Sequence, residues 1–277
     1  MKRLKSLLVL AAAVLVAAAC GPKKADAQKA LVLYYSQSNN TKAVAEAIAD
    51  KLGADIEAIL PVNPYDGSYQ ETIARSGQER EQGILPEIQP LKADLSKYDV
   101  IFLGYPIWFG TYAPPVAAWL ETVDLSGKKV VPFCTFGSGG LDASVKDLVA
   151  KQPKAEVLPG YGVRAARLEA MPAEVERFLQ AGGFLGGEFT PLPDFSAPHA
   201  VSEEESAIFD AAVGTYPMIR AKAATVASRA IPGGTEYLFT AADQPREGMP
   251  AMPGGGEMKV YVTALDGQAP DFTQVVR

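Results

Sequence analysis

The sequence predicts an α/β fold, in which a doubly wound sheet of five parallel strands is followed by a small C-terminal α+β unit. Two observations support this prediction. Between residues 29 and 181, short apolar runs alternate with amphipathic helical segments, which is the pattern of a parallel sheet covered by helices on both faces. Between residues 182 and 277 the alternation stops, and helical segments precede strand-like ones.

The first unit, residues 29–181, supplies the strands and helices of the predicted sheet. Residues 30–35 form a continuous apolar run, as expected for a strand that is buried on both faces. Residues 40–52 have apolar side chains at helical spacing, and Gly53 lies just past their end. Residues 61–95 show neither pattern, which predicts an irregular segment. The same criteria predict further strands at 56–60, 100–104 and 129–134, and a fifth strand in two pieces at 157–158 and 162–165. They also predict helices at 116–123, 141–151 and 173–181.

The C-terminal part divides into a linker and a small domain of unknown role. Residues 182–201 are rich in Gly and Pro, which predicts a linker with a solvated His199. Residues 202–277 form the α+β domain, and Ser202 followed by three Glu indicates a helix start. Three Met residues lie in and beside a Gly/Pro-rich loop, and their irregular spacing does not indicate a soft-metal site; they are Met249, Met252 and Met258. The pattern predicts helices at 202–213 and 218–230 and strands at 235–240, 258–265 and 272–276.

The composition excludes several classes of protein. A hydrophobic content of 48% and a net charge of −6 over 277 residues exclude a disordered chain. Two Cys exclude a disulfide scaffold or a Cys-rich zinc site, and one His excludes a multi-His centre, so we expect no metal. The acidic balance argues against a nucleic-acid partner, which needs a basic face.

The N-terminal segment has the properties of a signal peptide. Residues 1–5 carry three positive charges, and the apolar stretch at 7–19 would rise only about 20 Å as a helix, which is too short to span a bilayer. Small residues directly before Cys20 resemble the lipobox of bacterial lipoprotein signal peptides. This resemblance implies cleavage after residue 19, lipidation of Cys20 and an anchor in the lipid bilayer of the cell envelope, on a periplasmic or surface-facing side. An ordinary secretory signal and a core helix are the alternatives.

Removal of residues 1–19 changes the properties of the remaining chain. It takes away three basic residues, so the formal net charge changes from −6 to −9. Residues 20–28 are small and polar, and we expect them to be a tether between lipid and domain.

Six polar residues, 36–41, follow the first predicted strand and extend into the start of the first predicted helix. At the positive end of a helix, free backbone N–H groups favour an anion. The segment matches neither G-x-x-x-x-G-K-[ST] nor G-x-G-x-x-G, so it indicates a site for a single terminal phosphate. A helix N-cap is the alternative. The candidate cofactor-binding residues of this first loop are Ser36, Gln37, Ser38, Asn39, Asn40 and Thr41.

An aromatic cluster follows the third predicted strand, at the sheet edge where open α/β folds bind ligands. Trp108 offers a flat face for stacking, and Phe109 or Tyr112 can line the edge of such a site. Ordinary packing of aromatic residues at a strand end is the alternative. The candidate residues of this second loop are Pro106, Ile107, Trp108, Phe109 and Gly110.

A glycine-rich segment follows the fourth predicted strand. Three glycines within four residues let a backbone approach a ligand closely, while a helix-capping loop is the alternative. The preceding Cys134 is expected to be a buried structural thiol. The candidate residues of this third loop are Thr135, Phe136, Gly137 and Gly139.

The three loops resemble those of the flavodoxin family, and they occur in the family's order. The first resembles [ST]-x-[ST]-G-x-[ST], which holds the phosphate of flavin mononucleotide (FMN); Asn39 stands where the family has Gly. The second resembles the flavin loop G-x-P-[IV]-[WY]-x-G. The third resembles the loop whose main-chain amides contact the pyrimidine edge of the flavin, although Phe136 departs from the family pattern. The resemblance covers residues 29–181 and implies FMN as the cofactor.

The resemblance also implies a function. We expect a flavodoxin-like lipoprotein that transfers electrons or reduces a small acceptor, with a redox partner protein or small molecule as its partner. The chemistry then belongs to the flavin, and no catalytic side chain is expected. Two alternatives remain open: an NAD(P)H-dependent quinone or nitro reductase, and a non-catalytic binding or scaffold lipoprotein that has lost flavin.

Overall fold

The computed structural model describes residues 29–187, 189–214, 216, 219–244 and 256–277. The predicted signal peptide, the tether and Cys20 lie outside these residues, as do Met249 and Met252. Within the described ranges, no helix is both long enough and apolar enough to cross a membrane.

The first unit is built on a parallel sheet, as predicted. Its strands run in the order β2, β1, β3 and β5, and the short strands β6 and β7 lie one after the other against the free side of β5. Because β6 and β7 share the fifth position, the predicted five-stranded sheet is confirmed. A two-residue strand, β4, pairs antiparallel with the end of β3. The bounds are β1 Ala30–Tyr34, β2 Asp55–Ala58, β3 Val100–Trp108, β4 Thr111–Tyr112, β5 Lys129–Phe136, β6 Glu156–Val157 and β7 Tyr161–Arg164.

Helices cover both faces of this sheet. The alternation of side chains along β1 shows it directly: Leu31 and Leu33 pack in one core with α3 and α4, while Val32 packs in the other with α1 and α5. All three residues are at most 1% exposed, which is the burial expected for a doubly wound sheet. The covering helices are α1 Asn40–Leu52, α3 Pro114–Thr122, α4 Leu141–Lys151 and α5 Met171–Ala181.

The prediction of an irregular segment at residues 61–95 was wrong, because a 14-residue helix, α2, spans Tyr69–Gln82. Only Thr72 and Ser76 of this helix are buried, so its sequence has no apolar periodicity to detect. Its start is nevertheless encoded as Ser-x-x-Glu. The Ser68 hydroxyl accepts from the Glu71 N–H at 3.3 Å, and the Glu71 carboxylate accepts from the Ser68 N–H at 2.7 Å.

In the described part of the C-terminal domain, one helix packs on an antiparallel sheet. The helix is α6, Glu203–Val213, and its Phe209 packs on Phe239 of the sheet with ring centroids 5.1 Å apart. The five strands run in the order β12, β11, β10, β9 and β8. Their bounds are β8 His199–Ala200, β9 Ala221–Ile231, β10 Gly234–Asp243, β11 Glu257–Leu265 and β12 Asp271–Val276.

Two predictions for this domain were wrong. A helix was predicted at 218–230, but strand β9 begins at Ala221 and pairs antiparallel with β10. The segment is rich in Ala, which favours helices, and pairing in the sheet outweighs that local preference. His199 is not in an irregular linker: it forms the edge strand β8 opposite Val226, and its Nε2 lies 2.9 Å from Oε1 of Glu205. Its side chain is exposed, as predicted.

Candidate cofactor site

The three candidate loops meet at one edge of the parallel sheet. Strands β1, β3 and β5 are neighbours, with Tyr34 beside Gly104 and Gly104 beside Phe133, so the segments that follow them emerge side by side. Strand order reverses at β1, because β2 lies on one side of it and β3 on the other. The loops therefore lie at the switch point where open α/β sheets bind ligands.

The first loop contains a buried hydroxyl without a partner. Ser36 Oγ is inaccessible to solvent and makes no hydrogen bond within the described part of the chain. It lies just before α1, near whose first turn unpaired backbone N–H groups are available. A buried polar atom of this kind costs about 1–3 kcal/mol unless it is paired. The geometry thus leaves an unmet hydrogen bond where an anion would be favoured.

Two other side chains of the first loop have protein partners. Gln37 donates through Nε2 to the Tyr65 carbonyl at 3.2 Å and to Thr72 Oγ1 at 2.9 Å. Thr41 is buried, and its Oγ1 lies 2.8 Å from Thr135 Oγ1 at the end of β5. These bonds tie the first loop to α2 on one side and to the third loop on the other. Of the remaining candidates, Ser38 and Asn39 are exposed and Asn40 begins α1.

The second loop presents Trp108 at the end of β3. Trp108 meets Tyr35 and Tyr65 edge-on, with ring centroids at 5.9 and 5.3 Å and interplanar angles of 85° and 81°. Among the described residues no ring is stacked parallel to it, so the arrangement is compatible with a planar ligand on its face.

The turn from β3 to β4 places a phenyl ring on the surface. Phe109 and Gly110 both have positive φ, 52° and 85°, as the two central residues of a tight hairpin turn require. Phe109 is 45% exposed, and the Arg80 guanidinium lies 5.4 Å from its ring centre. Pro106 and Ile107 are half-buried beside it.

The third loop offers a ligand its backbone rather than its side chains. Phe136 is only 4% exposed and belongs to the core, so its ring closes the fold beneath the loop. A Cβ added to Gly140 would lie 2.6 Å from Ile107, and its φ is 118°, so only glycine fits between the second and third loops. Thr135 is buried against Thr41, as described above.

A segment that follows β2 and includes Tyr65 and helix α2 leans against the site. Tyr65 is 5% exposed and contacts Trp108, and its hydroxyl donates to the Glu79 carboxylate. Burial, with this hydrogen bond, raises the pKa of Tyr65, so the hydroxyl stays protonated. Arg75 lies 4.0 Å over the Tyr65 ring and donates to the Pro64 carbonyl at 2.8 Å. The capping box of α2 was the available signal for this segment.

Cys134 is fully buried at the end of β5 and forms no disulfide within the part of the chain that the structure describes. Burial raises the pKa of its thiol, which keeps it protonated and unreactive. The prediction of a structural thiol is confirmed.

Comparison with known proteins decides the family. The family model for flavodoxin matches residues 29–176, which include all three loops. The chain belongs to the flavodoxin family. The predicted family and its α/β fold are therefore confirmed, and since FMN is the cofactor of flavodoxins, the assignment supports the prediction of FMN.

Solved flavoprotein structures resemble the flavodoxin part of the chain. A flavoprotein from Bacteroides eggerthii DSM 20697 is 28% identical with a TM-score of 0.50, covering 56% of this chain and 97% of its own. One from Bacteroides uniformis ATCC 8492 is 26% identical with a TM-score of 0.48, covering 53% and 97%. A flavoprotein from Lactobacillus acidophilus NCFM, in complex with FMN, is 26% identical with a TM-score of 0.45, covering 49% and 93%.

The residues of this flavodoxin fit FMN in two respects. Ser36 offers a buried hydroxyl for a phosphate oxygen, and the ring of Trp108 can stack on a flavin. Asn39, which replaces the family's glycine, has the left-handed backbone that the glycine would supply, with φ of 66°.

Proposed function

We propose that this chain is an FMN-dependent redox protein of the bacterial cell envelope, which passes electrons to a partner protein or reduces a small acceptor. FMN supplies the electron chemistry when bound, and the protein anchors its phosphate and orients its ring. The Ser36 hydroxyl, which has no hydrogen-bond partner among the described residues, carries the proposal. It is a buried donor in the loop that leads into helix α1, and a phosphate oxygen would satisfy it.

Titration with FMN and with riboflavin tests this proposal. FMN should bind at micromolar concentration or below, and riboflavin should bind more weakly because it lacks the phosphate. Ser36→Ala should weaken FMN binding by about 1.5–3 kcal/mol, the usual contribution of a hydrogen bond to a charged group, and leave riboflavin binding unchanged. Ser96→Ala, on the exposed segment before β3, is the control. A wild-type protein that binds no FMN at micromolar levels contradicts the proposal.

The surface at Phe109 supports exchange of electrons with an acceptor. An exposed phenyl ring next to Trp108 gives an apolar contact close to the candidate flavin site. The acidic charge of −6 for the whole chain would favour an electropositive partner. Stopped-flow mixing with NADH or NADPH distinguishes a carrier from a nicotinamide-dependent reductase, because only the reductase bleaches its flavin within a turnover.

The envelope location rests on the order of features before Cys20. Basic residues, a short apolar stretch and small residues precede this cysteine, as in bacterial lipoproteins. In cells, the wild-type protein should incorporate a labelled fatty acid and sediment with membranes. Cys20→Ala should lose the label, and Cys134→Ala should keep it. A label that persists in Cys20→Ala would show that lipidation occurs elsewhere.

A further inference from the structure

The C-terminal domain contacts the third loop through backbone atoms of its edge strand. Val275 in β12 donates its N–H to the Ser138 carbonyl at 2.6 Å. The carbonyl oxygen of Val275 lies close to Gly139, and a Cβ added to Gly139 would be 2.1 Å from that oxygen. The loop therefore covers the free edge of the antiparallel sheet, at a place where a side chain has no room.

A buried arginine strengthens this contact. Arg164, at the end of β7, has a side chain that is 8% exposed. Its Nε donates to the Gly137 carbonyl at 3.0 Å, and its Nη1 donates to Asp271 Oδ1 at 2.6 Å and to the Phe272 carbonyl at 2.8 Å. Asp271 also lies 3.3 Å from the Nε of Arg167. The two domains are thus joined directly at the third loop.

These contacts hold two consecutive carbonyls of the loop. The Gly137 carbonyl is bonded to Arg164, and the Ser138 carbonyl is bonded to Val275. A trans peptide unit is planar, and its N–H points opposite to its C=O. The N–H groups of Ser138 and Gly139 must therefore point away from Arg164 and Val275. The C-terminal domain holds the second of these directly through Val275, and the first indirectly, because Asp271 and the Phe272 carbonyl hold Arg164.

We infer that the C-terminal domain is part of the flavin site, in which Arg164, Asp271 and Val275 are positioning residues for the peptide N–H groups of Ser138 and Gly139. The inference rests on the FMN binding proposed above, and it gives a role to residues beyond the family match at 29–176. Reduction adds negative charge to the pyrimidine end of a flavin. Fixed N–H donors aimed there stabilise the reduced form more than the oxidised form.

Two variants of the full chain break the contact without touching the loop itself. Asp271→Ala removes the carboxylate that holds Arg164. Val275→Pro removes the N–H that bonds to the loop, on the edge strand β12, where proline leaves the bonds between strands intact. Glu236→Ala is the matched control, because it breaks an ion pair with Arg229, at 2.6 Å, in the same sheet. Asp271→Glu keeps the carboxylate and should restore the wild-type behaviour.

The readouts are the dissociation constants of oxidised and reduced FMN, from titration and redox potentiometry. In Asp271→Ala and Val275→Pro, reduced FMN should lose about tenfold more affinity than oxidised FMN, the size of one hydrogen bond to a charged group. Such a difference lowers the two-electron potential by about 30 mV. In Asp271→Ala without FMN, the Val275 amide proton should also exchange faster, and Glu236→Ala should change none of these values.

The outcomes separate this inference from the proposed function. If the wild type binds no FMN, both are overturned. If it binds FMN, and the two variants are folded by circular dichroism but keep the wild-type potential, only the inference is overturned. A lowered potential in Glu236→Ala as large as that in Asp271→Ala also overturns it, because general loosening of the domain would then explain the effect.

Discussion

Asn39 occupies the position at which the flavodoxin pattern has glycine. Its φ of 66° lies in the left-handed region, which Asn tolerates better than most residues. Ala at this position should destabilise the fold by about 1–2 kcal/mol, the cost of a left-handed backbone for a residue with a Cβ. Asn39→Gly should leave the free energy of unfolding unchanged or raise it. Urea denaturation of Asn39→Ala and Asn39→Gly measures both, and equal stabilities would show that the conformation is not strained.

The contribution of Trp108 to flavin binding can be measured by substitution. Trp108→Ala should weaken FMN binding by about 1–3 kcal/mol, as aromatic stacking does for flat nucleobases. Trp108→Phe keeps a flat ring and should lose less. Calorimetric titration gives the two affinities, and an unchanged affinity in Trp108→Ala would reject a stacking role.

The buried thiol of Cys134 should be inert in the folded protein. It is 0% exposed, and burial raises its pKa, so little thiolate forms at pH 8. A chromogenic disulfide reagent should react with it only after denaturation in urea. The test uses Cys20→Ala, in which Cys134 is the single thiol. Rapid reaction under native conditions would mean that the strand end opens readily.

Two capping boxes allow a comparison at the level of elements. Ser68 is the N-cap of α2 and Ser202 is the N-cap of α6, each with a Glu three residues later. Ala at either position should cost about 1 kcal/mol of stability. Only Ser68→Ala should also weaken FMN binding, because α2 holds Gln37 of the first loop through Thr72. Urea denaturation and FMN titration of both variants test this difference. If the two variants change the affinity for FMN equally, α2 does not contribute to the site.

Strand β9 shows why local sequence was a poor guide to the C-terminal domain. Its segment is rich in Ala, which favours helices. It nevertheless pairs with β10 along nearly its whole length, after a turn at Gly233 with φ of 74°. Its Val226 and Ala227 are buried in that sheet. The hydrogen bonds and burial of the hairpin outweigh a propensity of less than about 1 kcal/mol per residue.

At the scale of the whole molecule, FMN should stabilise both domains. FMN at a hundredfold excess over its dissociation constant raises the free energy of unfolding by about 2.7 kcal/mol, if it binds only the folded state. Because Val275 bonds to the third loop, amide exchange should slow in β12 as well as in the flavodoxin domain. Hydrogen exchange by mass spectrometry measures this, with Asp271→Ala as the uncoupled variant. Protection confined to residues 29–181 would contradict the coupling.

The flavodoxin domain was predictable because its signals are local. Continuous apolar runs marked buried strands, and helix α1 was predicted with its bounds, since Gly53 ends it in a left-handed conformation. The candidate loops could be placed for the same reason, because each directly follows a buried strand. Helix α2 could not be found by periodicity, because it is mostly exposed. The partners of Gln37 and Thr41 could not be found either, since they lie 28 to 94 residues away.

The family, the parallel sheet and the three loops follow from the sequence alone, because strand burial, helix caps and loop composition depend on consecutive residues. Which hydroxyl is left unpaired depends on contacts between distant segments, since Thr41 bonds to Thr135 while Ser36 has no partner among the described residues. The placement of the C-terminal domain against the third loop depends on such contacts too. Arg164 and Asp271 are 107 residues apart, and a contact at that separation depends on how two folded domains pack rather than on any local pattern.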